Sequence, residues 1–139
     1  MSAVSHTARM LEVSPSTPPY DSRVLVRCID ACFDCAQTCA SCADASLAEE
    51  DVAALTECIR LDLVCTDLCV ATALPLSRFA TAGEGFVRTL VQACADACAS
   101  CAEECERHAE HHEHCRLCAE QCRRCEQACS ELLAAMSSS

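Results

Sequence analysis

The 139-residue chain carries 21 acidic against 10 basic side chains, for a formal charge of -11 and a pI near 4.7. An acidic chain without a Lys/Arg cluster lacks the cationic face that nucleic acid and anionic membranes demand, so neither is expected as a partner. Only 3% of the chain is aromatic, tryptophan is absent, and 17 cysteines with many alanines supply much of the 52% hydrophobic content, a composition that suits one domain with a narrow core.

Residues 1–20 read as a leader that is partly ordered or a short helix. Residues 2–13 can form that helix, and Ser14-Pro15-Ser16-Thr17-Pro18-Pro19 breaks it. The segment has no apolar run of about 7–15 residues, no twin arginine and no small-residue cleavage site, so no export signal is expected. No stretch approaches the roughly 20 apolar residues of a membrane span. The expected location is cytoplasmic, where thiols are kept reduced.

Asp21 or Ser22 is the expected cap of a long helix running to about Ala45. Along it Cys28, Cys32, Cys35, Cys39 and Cys42 recur at steps of four, three, four and three. At about 3.6 residues per turn this spacing places every thiol on one stripe. Ser46-Leu-Ala-Glu49 reads as a capping box that opens a second helix, carrying Cys58, Cys65 and Cys69 and ending near Ala73, ahead of Pro75. A turn or short helical piece follows, stopped by Gly83 and Gly85. A third helix from Gly85 or Phe86 carries Cys94, Cys98, Cys101 and Cys105. The histidine-rich stretch His108 to His114 forms a corner, and a fourth helix carries Cys115, Cys118, Cys122, Cys125 and Cys129. Residues 137–139 are expected to fray.

Four helices joined by short connections predict an all-α, antiparallel up-down-up-down four-helix bundle over residues 21–136, with a cysteine-lined core. The stretches 28–42 and 94–105 share the phrase C-x-x-x-C-x-x-C-x-x-x-C, as two copies of a helical hairpin would.

A lone core cysteine is usually a small hydrophobe, but in-phase rows on several helices are not explained that way. Cysteines one turn apart have Cβ atoms about 5–6 Å apart, against the about 3.8 Å of a disulfide, and an odd number cannot pair completely. Structural zinc sites close individually from short knuckles, and ferredoxin spacing adds a proline this chain lacks. Soft thiolates select Cu(I), which tolerates low coordination. Seven C-x-x-x-C pairs can each clasp such an ion: 28/32, 35/39, 65/69, 94/98, 101/105, 118/122 and 125/129. A monovalent ion replacing a thiol proton also leaves the net charge unchanged, so many ions can share a dry core.

The rails on four helices, the C-x-x-x-C pairs and the histidine corner resemble the bacterial copper storage proteins, in their cytosolic branch, over about residues 22–132. The resemblance implies a homotetramer of four-helix bundles that hold multiple Cu(I) ions per chain, with no enzymatic activity.

Two kinds of residue interrupt the rails. Asp62 stands in phase between Cys58 and Cys65, either leaning to solvent beside core Leu61 or Leu63, or inward as a ligand or the orienter of a histidine. His108 continues the third rail beyond Cys105, and His111 lies four before Cys115. Both are candidate ligands, whereas His112 and His114 are left open as surface residues or ligands. Antiparallel packing gathers Cys42, Cys58, Asp62, Cys105, His108, His111 and Cys115 at one mouth, and the rails end oppositely in Leu25, Leu90, Val91, Leu132 and Met136, an apolar plug. The expected function is storage and detoxification of Cu(I) loaded through the mouth, with a copper chaperone as a possible supplier. An iron-sulfur electron carrier and a general thiol buffer are the alternatives.

Overall fold

A computed structural model describes residues 4–79 and 84–137. The expected stop at Gly83, the first leader residues and the last two tail residues lie outside the described residues. Among those described there are five α-helices, α1 (His6–Val13), α2 (Ser22–Leu47), α3 (Thr56–Ser77), α4 (Glu84–Glu106) and α5 (Glu113–Ser137), and a 3-10 turn (Val52–Leu55). None of the helices is long and apolar enough to cross a membrane.

Helices α2 to α5 form the bundle. Each packs on its sequence neighbour, and α2 also packs on α5, closing the square. Sulfur contacts give the direction: Cys28 near the start of α2 meets Cys129 near the end of α5, and Cys58 at the start of α3 meets Cys105 at the end of α4. Neighbouring helices are therefore antiparallel. Helix α1 lies against α2, with Leu11 and Tyr20 of the leader packed on the core.

Asp21 caps α2, its Oδ1 accepting from the Arg23 N–H at 2.9 Å. The expected capping box at Ser46 does not form. Ser46 lies in the last turn of α2 and is fully buried, so burial in rail phase wins over capping. The Glu49 carboxylate binds histidines instead, and α3 starts only at Thr56, whose Oγ1 donates to the Ala53 carbonyl at 3.1 Å.

The second difference is at Pro75, which lies inside α3 rather than beyond it. In the last turn a proline removes one backbone donor, and the continued helix buries Leu76 in the apolar end. The Ser77 hydroxyl donates to the Ala73 carbonyl at 2.8 Å and the Arg78 N–H to the Pro75 carbonyl at 3.0 Å, closing the terminus. That apolar end consists of Leu25, Leu76, Val87, Val91, Leu132 and Met136, all buried, with Leu90 half-buried beside them.

Candidate metal centre

Every cysteine of the chain is buried and free. The helical period brings the thiols to the bundle axis, and the antiparallel packing interleaves them into a continuous column. Neighbouring Sγ atoms stand 3.4–4.0 Å apart, from Cys58–Cys105 near the histidine end to Cys35–Cys98 at mid-column.

The column contains closed sulfur triangles. Cys35, Cys65 and Cys98 are separated by 3.9, 4.0 and 3.7 Å, and Cys35, Cys39 and Cys122 by 3.8, 3.8 and 3.6 Å. The centre of such a triangle is about 2.2 Å from each sulfur, close to the about 2.3 Å of a zinc–thiolate bond. A soft ion can be seated there without moving the helices. Quartets overlap as well: Cys39 belongs both to Cys35/Cys39/Cys65/Cys122 and to Cys39/Cys101/Cys118/Cys122, so adjacent ions would share sulfurs. Thiol–thiol hydrogen bonds, with desolvation behind them, push the Cys39, Cys98 and Cys125 thiols above their usual range. The metal-free core accordingly keeps these protons until an incoming cation displaces them.

Asp62 points inward, fully buried, while Leu63 is half exposed. Its Oδ1 accepts from Cys101 at 3.1 Å, Cys118 at 3.3 Å and Cys105 at 3.7 Å, and its Oδ2 from Cys58 at 3.9 Å. Burial first, then repulsion from the Cys101 and Cys42 sulfurs, pushes its carboxyl up to about 10. Asp62 is thus a neutral acid at pH 7, surrounded by four thiols.

The histidines divide. The His108 ring is bonded through Nε2 to Glu104 Oε2 at 2.8 Å, so its orienting carboxylate is the nearly buried Glu104, which also binds Arg107. His111 lies exposed in the turn before α5. His114 reaches the sulfur column, with Nδ1 3.5 Å from Cys42 Sγ and 3.6 Å from Cys115 Sγ. Its Nε2 bonds Glu49 Oε2 at 2.8 Å, a carboxylate–imidazole–thiol arrangement that fixes the ring and leaves Nδ1 facing sulfur. His112 stacks on His114 at 5.4 Å and bonds both Glu49, at 2.8 Å, and Asp51, at 3.0 Å.

The reason His114 and not His111 meets the thiols is the start of α5. Counting back four from Cys115 selects His111 only if the helix extends that far, but it begins at Glu113. Counting back four from Cys118 selects His114, inside the first turn. That signal was present in the spacing, whereas Glu49 and Glu104 carried none.

Outside the column, a groove of about 460 Å³ along the α2–α5 seam is lined by Gln37, Ser41, Leu117 and Arg124 and reaches Cys42 and His114 at its floor. The histidine end is therefore approached from the side of the bundle.

A four-helix bundle whose axis is a column of free thiols, open to solvent through an imidazole, defines a protein that holds soft metal ions in its interior. Residues 21–134 match the sequence pattern of the copper storage protein family, Csp, and the chain belongs to that family. It is similar to the copper storage protein Ccsp of Streptomyces lividans loaded with 10 copper equivalents, at 51% identity and a TM-score of 0.90, covering 93% of this chain and 98% of that one. A cytosolic copper storage protein from the same organism, with five coppers, is 56% identical with a TM-score of 0.79, over 81% of this chain and 93% of its own. The Cu(I)-bound copper storage protein BsCsp3 is 34% identical with a TM-score of 0.69, over 76% and 94%.

Proposed function

We propose that this protein stores Cu(I) in the cytoplasm, binding many ions along the column of its 17 cysteines and so keeping free copper low. The observation that carries the reading is the preformed sulfur triangle, such as Cys35/Cys65/Cys98, repeated down a dry core. It acts as a store and not as a catalyst, because the column offers ligands for cargo and no open position where a substrate could react. A set of cysteines that are all free supports a reducing compartment, as does the likeness to a protein described as cytosolic.

Copper arrives by the α2–α5 groove, is received by Cys42, Cys115 and His114, and moves inward by exchange between neighbouring thiolates, past Asp62. His108 with Glu104 flanks this region, and His111 lies exposed in the turn before α5, off this path. A soluble copper carrier is the supplier that this groove suits. Homotetramers are supported by the outward face of α3, where Leu63, Val64, Val70 and Leu74 are exposed although apolar.

The test is anaerobic titration of the reduced protein with Cu(I) against a competing chelator, with circular dichroism in parallel. Uptake on the order of one ion per thiolate with unchanged helicity is expected. Saturation at four ions or fewer, or a brown chromophore with acid-labile sulfide in the purified protein, would overturn the reading. Light scattering checks the tetramer.

A further inference from the structure

The α2 rail does not end at Cys42. The next position in the same alternation is Ser46, four residues on, and like the cysteines before it Ser46 is fully buried. Its Oγ is a buried side-chain oxygen with no hydrogen-bond partner among the described residues. Native structures rarely tolerate that, since a buried hydroxyl without a partner is costly. It neither caps α3 nor bonds back to its own helix.

Side chains on a helix lean toward its N-terminus, so Ser46 leans back over the preceding turn, toward Cys42. Cys42 is the thiol that meets His114 and floors the α2–α5 groove. A thiol is a weak acceptor, whereas the thiolate left when copper displaces its proton is a strong one.

We propose that Ser46 is the closing position of the α2 rail, its hydroxyl unpartnered in the metal-free protein and donating to the Cys42 thiolate once copper is bound there. This rests on the storage reading above. The proton held between Cys42 and His114 leaves to solvent as the ion binds, and the serine keeps its own proton while turning it toward sulfur. Ser46 is thus a positioning residue for the outermost ion. An oxygen at this place also ends the sulfur ladder, so the outermost ion has no further thiolate beyond Cys42 on α2 and remains the most readily exchanged.

The experiment compares Ser46→Ala, Ser46→Thr and Ser46→Cys with the wild type, each loaded anaerobically and then challenged with a Cu(I) chelator. Expected for S46A is release of the most labile ion roughly tenfold faster, from loss of one hydrogen bond to a charged sulfur. S46T, which keeps the hydroxyl, restores the slower rate. S46C retains that ion against the chelator and protects its new thiol from alkylation when loaded. The thermal midpoint of metal-free S46A stays at or above that of the wild type, whereas a hydroxyl that merely supported the fold would lower it. Equal release from S46A, S46T and wild type overturns the proposal, as does an introduced thiol in S46C that stays reactive in the loaded protein. Failure of the wild type itself to take up copper removes the storage reading and this proposal with it, and the wild-type titration alone tells the two failures apart.

Discussion

Cys101 on α4 donates its thiol hydrogen to Oδ1 of Asp62 on α3 at 3.1 Å, across the interior of the bundle. With Cys58, Cys105 and Cys118 also on this carboxyl, an acid occupies what is otherwise a sulfur position. Its carboxyl is raised from 3.8 to about 10, so the folded state holds a proton that the unfolded chain releases near pH 4. Stability from this group is therefore complete below about pH 4 and declines as pH rises toward 10. In metal-free Asp62→Asn, which cannot ionise, denaturant unfolding should fall less steeply over that window than in the wild type. Parallel stability curves for the two would contradict the protonated Asp62.

His114→Ala should slow the first phase of Cu(I) uptake by about tenfold and leave the final stoichiometry within about one ion, because the ring touches only Cys42 and Cys115 of the column. His111→Ala, at an exposed turn position, should load at the wild-type rate. Stopped-flow absorbance in the copper–thiolate region separates these. A halved capacity in H114A would refute the receiving role.

Cys39 and Cys28 differ in how many sulfurs they touch. Cys39 lies in at least two quartets, while Cys28 meets Cys129 at the edge of the plug. Cys39→Ala should cost roughly two or more ions through lost bridging, and Cys28→Ala about one. Native mass spectrometry of the loaded proteins gives the count directly.

His112 is held above the usual imidazole range, first by the Asp51 carboxylate at 3.0 Å and, against some desolvation, by Glu49. The clasp between the two corners contributes fully below the ordinary value of 6.5 and is lost as pH rises through the higher folded value. Because Asp51 and Glu49 are lowered in return, it also fades in stronger acid. Asp51→Asn should bring the His112 titration down, as seen by NMR of the ring protons, more than it moves that of His114.

Leu132 is fully buried in the plug. Leu132→Ala should destabilise the metal-free protein by about 2–5 kcal/mol, measured by denaturant unfolding, with copper capacity unchanged. A loss of capacity would mean that the plug shapes the thiolate column.

The alternation of threes and fours from Cys28 to Cys42 and from Cys115 to Cys129 determined by itself that these are helices with sulfur on one face. The 3.6-residue period leaves no other stripe for side chains so spaced. Four such stripes in an acidic chain with few aromatic residues also determined the bundle and the kind of ion it suits. What needed the tertiary structure was every contact governed by where a helix ends. Ser46 and Glu49 have the residue types of a capping box, yet α2 runs on to bury Ser46, and Glu49 turns to histidines more than 60 residues away. In the same way, His111 and His114 are equally good by residue type, and the start of α5 at Glu113 places His114 against the sulfurs of Cys42 and Cys115. Period is a local property carried by the chain, whereas helix termini are set by competing burial and by partners from distant segments, which residue spacing does not encode.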